Sequence, residues 1–124
     1  MRKIKVDFQI KSLDTSSSFT GVGEYKNNRI KFVDYDNNIN FIVLHGDVVE
    51  FYKKGNVDMK YKFDMNTSTK GEYILSGHKL VFDIVTHKIV SNNHILQIKY
   101  DLYQNSEIVN KTEILIKYTF LEEE

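Results

Sequence analysis

The chain has 124 residues, balances 17 Lys and Arg against 17 Asp and Glu, and contains no Pro, Cys or Trp. A length of this order suits one domain, here 1–124, and a composition 41% hydrophobic and 27% charged excludes a disordered tail, a collagen-like repeat and a chain embedded in a membrane. Zero net charge counts against binding to duplex nucleic acid, and the missing Cys excludes disulfides, a thiolate nucleophile and a cysteine zinc site.

Residues 2–11 set the pattern that the rest of the chain repeats. Ile4, Val6, Phe8 and Ile10 share one face while Lys3, Lys5, Asp7, Gln9 and Lys11 share the other, the period-two alternation of a half-buried strand. A secretory signal needs an unbroken apolar stretch, which this segment lacks. No other run approaches the ~18–20 apolar residues of a membrane span, so a cytoplasmic protein without membrane contact is expected.

Further strands are read near 18–26, 29–36, 39–45, 47–53, 57–65, 69–76, 79–88, 93–104 and 108–121. Met59, Tyr61, Phe63 and Met65 alternate with lysines and Asp64 in the sixth, and Leu96, Ile98, Tyr100 and Leu102 do so in the ninth. In the tenth, Ile114, Ile116, Tyr118 and Phe120 oppose Lys117 and Thr119. β-Branched and aromatic residues fill these windows, as strands prefer, and no window has the three-and-four spacing of a helix. Turn residues separate them: Asp14 to Ser18, Asn27-Asn28, Asp36-Asn37-Asn38, His45-Gly46-Asp47, Lys54-Gly55-Asn56, Asn66-Thr67-Ser68, Ser76-Gly77-His78, Ser91-Asn92-Asn93 and Gln104-Asn105-Ser106. Asn tolerates the left-handed backbone of a tight hairpin, so Asn27-Asn28 can replace the commoner Asn-Gly. A single antiparallel meander of about 8–10 strands, closed into a barrel rather than left as a sandwich, removes the exposed edges and suits the absence of Pro.

Chemistry-bearing residues give little. His45, His78 and His94 fall in or beside turns and His87 sits on a mixed strand face, without metal-ligand spacing. The serines at 16–18 read as a turn, since no Gly-x-Ser-x-Gly elbow surrounds them. Asp34, Glu50 and Asp83 fall within predicted strands, but spacing pairs no acid with a base. Gly21-Val22-Gly23 precedes no helix and reads as a bend, a bulge or close packing at a barrel corner. No catalytic residue, metal or cofactor is therefore expected. The positive signal is aromatic: of 8 Tyr and 8 Phe, Tyr61, Phe63, Phe82, Tyr100, Tyr118 and Phe120 carry the interior parity. Rings with hydroxyls suit an apolar cavity with a few orienting hydrogen bonds, and equally suit a filled core. The chain has two arginines, Arg2 at the terminus and Arg29 beside a turn, so a buried guanidinium for an acidic ligand is not expected.

Tyr73, Ser76, Leu80, Thr86 and Ile89, then Ile98-Lys99-Tyr100-Asp101-Leu102 and Ile114-Leu115-Ile116-Lys117-Tyr118, carry by their order and spacing a resemblance to the YwiB-like domain of unknown function. The resemblance covers most of 57–120; the first half agrees in strand rhythm and around Arg29-Ile30-Lys31-Phe32. It implies a small bacterial cytoplasmic protein with a calycin-like, lipocalin-shaped barrel and no established activity. The lack of Trp and of a Gly-x-Trp motif departs from true lipocalins, whose ligands are not carried over. The expectation is a non-enzymatic monomer or homodimer that binds a small, mostly apolar molecule, lined by Tyr61, Phe63, Tyr73, Phe82, Tyr100 and Tyr118. The alternative is a filled barrel that serves as a structural or interaction module for a protein partner or a second copy.

Overall fold

A computed structural model describes residues 1–121, which form ten strands and no helix. The strands are β1 (Arg2–Lys11), β2 (Ser16–Lys26), β3 (Arg29–Val33), β4 (Ile39–His45), β5 (Val48–Lys54), β6 (Val57–Asp64), β7 (Thr69–Leu75), β8 (His78–Asn92), β9 (Ile95–Gln104) and β10 (Glu107–Phe120). Each pairs antiparallel with the next, and β1 pairs with β10 from Ile4 opposite Phe120 to Lys11 opposite Glu113. The sheet is thus the expected all-β meander, closed on itself.

Turn chemistry fixes the registers. Asn27 and Asn28 both adopt left-handed backbone, at φ 50° and 61°, as a two-residue hairpin requires. Asn105 and Ser106 repeat this geometry at φ 53° and 65°. Three boundaries differ from expectation. Ser16 to Ser18 are not a turn but the start of β2, where they face Lys11, Ile10 and Gln9; polar residues suffice on a strand whose neighbour supplies the pairing. β3 ends at Val33, because the Asp34 carboxylate accepts the backbone N–H groups of Asp36 and Asn38, each at 3.0 Å, and turns the chain there. β8 continues to Asn92 across a bulge between Thr86 and Lys88, so the hairpin falls at Asn93 and His94, φ 50° and 62°.

The inward face is packed solid over most of the barrel. Ile4, Val6, Ile30, Val49, Phe63, Ile84 and Ile116 are fully buried, and Phe8 packs at 5.4 Å from Phe32 and 5.9 Å from Phe51 between ring centroids. Inward-facing glycines make room for the rings. A Cβ on Gly71 would lie 2.7 Å from the Tyr61 ring and 2.8 Å from Ile84, and one on Gly21 would lie 2.6 Å from the Phe19 ring. Gly21-Val22-Gly23 is thus close packing, one of its sequence readings. Where β2 and β3 pair only over Glu24 to Lys26, Tyr35 spans the seam: its hydroxyl accepts the Thr20 N–H and donates to the Thr20 carbonyl, both at 3.2 Å.

The two ends differ. The end that carries the β2–β3 and β8–β9 turns is closed on that side by a stack in which Tyr118 lies between Tyr25 at 5.6 Å and His94 at 5.0 Å, with Phe120 edge-on and Arg2 3.7 Å over it, while a hollow of about 420 Å³ lies at its other side among Gly46, Asp47, Met65, Asn66, Ile89 and Ser91. The end that carries the β1–β2, β5–β6 and β7–β8 turns is open.

Phe63→Ala is expected to cost about 3–5 kcal/mol in denaturant unfolding, the loss typical of a buried ring. Gly71→Ala is expected to lower the melting temperature by displacing Tyr61, whereas an unchanged melting temperature would show that the inner packing is looser than described.

Candidate functional site

At the open end the strands hold a cavity of about 260 Å³. Ile10 of β1, Phe51 of β5, Met59 and Tyr61 of β6, Tyr73 of β7 and Tyr100 and Leu102 of β9 form its apolar wall. Its polar lining is Ser12, Thr15, Ser17, Lys53, Asn110 and Thr112. Strand alternation places these groups: Tyr61 and Tyr100 lie two residues from Phe63 and Ile98, which point to the same interior. The Tyr100 ring packs 4.6 Å from Phe63 and 6.3 Å edge-on from Tyr61. Phe63 is fully buried beneath the two tyrosines and belongs to the floor.

The six residues expected to line a site therefore divide. Tyr61, Tyr73 and Tyr100 come together at the cavity; Phe63 packs below it; Phe82, half-buried opposite Gly71, packs against the core beside it; Tyr118 lies in the aromatic stack at the opposite end. Thr112 was legible from the alternation of β10, since it shares the parity of Ile114. Asn110 shares the same parity and the same unbroken register with β9, Asn110 opposite Leu102 and Thr112 opposite Tyr100, but as a polar residue it stands out from the apolar alternation.

Electrostatically the cavity is close to neutral. Burial pushes the Tyr61 phenol well above the usual tyrosine range, with Tyr73 beside it adding to the effect. Burial raises Tyr100 likewise, Tyr61 adds to it, and Thr112 acts weakly in the opposite sense. The Tyr61 and Tyr100 phenols therefore keep their protons at neutral pH. The one ammonium, Lys53, has its Nζ 3.8 Å from Asp34 Oδ2 and 5.9 Å from the Phe51 ring centre. Asp34 is fixed in turn by the two backbone N–H groups of its turn and by the Asn40 amide at 2.9 Å.

A larger hollow, about 470 Å³, lies on the outer wall beside the β8 bulge. There the bulge carries His87 onto Asp101, Nε2 to Oδ2 2.7 Å, among Lys11, Lys99, Lys111 and Glu113. Glu113 accepts the Gln97 amide at 2.8 Å and lies 3.6 Å from Lys99; the Gln97 bond, opposed by slight burial and aided by Lys99 and Lys11, holds its carboxyl below the usual range. Both carboxylates of this hollow are thus engaged. The other acidic candidates do not converge: Asp34 pairs with Lys53, Glu50 with His45 at 3.3 Å and Asp83 with Lys70. Among the described residues no group of three or more His, Asp or Glu could hold a metal ion, and no helix is long and apolar enough to cross a membrane.

Comparison with known proteins adds a family and a fold. The family model described as Domain of unknown function (DUF1934) matches residues 3–116. The crystal structure of the ywiB protein from Bacillus subtilis superposes with a TM-score of 0.75 at 17% sequence identity, over 98% of this chain and 93% of that one. No curated protein matches the chain.

The buried phenols give a pH prediction. Tyr61 and Tyr100 carry folded-state pKa values raised above their unfolded value, so the stability they contribute is present below the ordinary tyrosine pKa of about 10 and is lost as pH rises through the folded values. In an alkaline titration followed by ultraviolet absorbance, these two phenols are expected to ionise above the ordinary tyrosine range, and in Tyr61→Phe/Tyr100→Phe the late-titrating fraction shrinks, with Tyr118, also raised by burial, still contributing to it. A single transition at the ordinary pKa, with no late fraction, would contradict the burial described.

Proposed function

The chain belongs to the DUF1934 family of unknown function, and we propose that it is a non-enzymatic, cytoplasmic binder of a small, mostly apolar molecule taken into the open end of a calycin-like barrel. The observation that carries this reading is the cavity between Tyr61, Tyr73 and Tyr100, walled by apolar side chains and furnished with a few polar groups, the usual make-up of a small-molecule site. The outer hollow is less suited to such a ligand, because its walls are ion pairs and hydrated lysines whose desolvation costs free energy. Leu75 and Leu80, on the same strand face as Tyr73 and still 48% and 44% exposed, extend the apolar wall into a lip where a ligand would enter.

That lip also supports a second reading, in which a protein partner or a second copy of the chain covers the open end. Sedimentation of the purified protein separates the two: a concentration-dependent dimer weakened by Leu80→Lys favours the interface, and a monomer unaffected by that change favours a free mouth.

The binding reading is tested by titrating the methyl-labelled protein with benzene and following carbon–proton spectra. Met59 and Leu102 are expected to shift saturably while Ile4 and Ile116 do not, and Asn110→Phe is expected to abolish the shift without lowering the melting temperature. Absence of saturable shifts in the parent protein, or shifts confined to other residues, would refute it.

A further inference from the structure

Given that the open end binds small molecules, its lining also selects among them: we propose that it takes compact, uncharged molecules of one or two rings that carry a hydrogen-bond acceptor, and rejects carboxylates and long acyl chains. This rests on the reading of the mouth as a binding site and goes beyond it in naming the chemistry of the occupant.

Size sets the first limit. A dry apolar cavity of about 150 Å³ accommodates benzene, and the mouth offers about 260 Å³ above a closed floor. Phe63 is fully buried and Phe51 nearly so beneath it, and the filled core beyond leaves no channel along which a long chain could lie. The ring faces of Tyr61 and Tyr100, inclined at 78°, offer a flat guest one face to stack on and one edge to meet.

Charge sets the second limit. Lys53 is the sole ammonium in the lining, and Asp34 already compensates it. The arginines are elsewhere, Arg2 over Phe120 at the Tyr118 end and Arg29 over Phe41. A carboxylate entering the mouth would lose hydration without gaining an uncompensated cation.

Hydrogen bonding sets the third. Tyr61 and Tyr73 both line the mouth, and Tyr61 is only 5% exposed. Burial keeps the Tyr61 phenol protonated, so it presents an O–H to whatever enters. A ligand with an acceptor can take a hydrogen bond from that O–H, which a ligand without one cannot, and such a bond is an effective basis for discrimination between similar molecules.

Calorimetric titration with methyl benzoate, toluene, benzoate and decan-2-one tests each limit in turn. Methyl benzoate is expected to bind at least tenfold more tightly than the other three, and Tyr61→Phe/Tyr73→Phe is expected to remove its advantage over toluene. Benzoate or decan-2-one binding as tightly as methyl benzoate, or a preference for methyl benzoate that survives in the double variant, would overturn the inference and leave the mouth a general apolar site. Failure of all four to bind would overturn the binding reading with it.

Discussion

A closed sheet has one inside, and every second residue of ten strands must fit there. This volume constraint governs the rest of the structure. Bulky Phe8, Phe32, Phe51 and Phe63 meet in the middle, and the absent side chains of Gly21 and Gly71 receive the rings of Phe19 and Tyr61. A phenol differs from a phenyl ring in needing a partner or water for its hydroxyl. The central rings are accordingly phenylalanines, while the inward tyrosines gather at the two ends, Tyr25 and Tyr118 at one and Tyr61, Tyr73 and Tyr100 at the other. At the first end Tyr25 donates to the Asn28 side chain at 2.9 Å and the rings close ranks. At the second the rings stand apart, and a cavity results.

Charge follows the same division between inside and outside. Lysines, histidines and carboxylates on the outer face pair with one another across neighbouring strands, as cross-strand neighbours of opposite sign do at modest gain. Asp34 is the exception with consequences for the mouth. By capping the β3–β4 turn, binding Asn40 and meeting Lys53, it shapes the rim and removes the free cation that an acidic ligand would need. Both the shape and the neutrality of the cavity therefore trace to packing inside and to one carboxylate at the edge.

Much of this was legible in the alternation of residues. The inward parity of Tyr61, Phe63 and Tyr100 follows from period two, the strand number of about 8–10 from the turn residues between the strands, and closure from the need to remove exposed edges, and Asn27-Asn28 announced its hairpin. What was hidden has physical causes. The bulge at His87 inserts a residue and lets β8 run past its expected end, and Asn110, a polar residue at an inward position, leaves no apolar mark in the alternation. Asp34 looked like a strand residue because a side chain that caps a turn leaves no periodic trace. Parity also says which residues point inward but not how far along the barrel they lie, so Tyr118 and Tyr61 were indistinguishable until the register was known. The choice between a filled and a hollow barrel was open for that reason, and the structure combines them, filled through the middle with a cavity between Tyr61, Tyr73 and Tyr100 at the end that carries the β5–β6 turn.

Crystals of the protein pressurised with xenon test that division most directly, since xenon enters apolar cavities and reports their positions. Xenon is expected between Tyr61, Tyr100 and Met59 at the open end and nowhere among Phe8, Phe32, Phe51 and Phe63. Xenon bound in the middle of the barrel, or at the Tyr118 end with the mouth empty, would contradict the central claim.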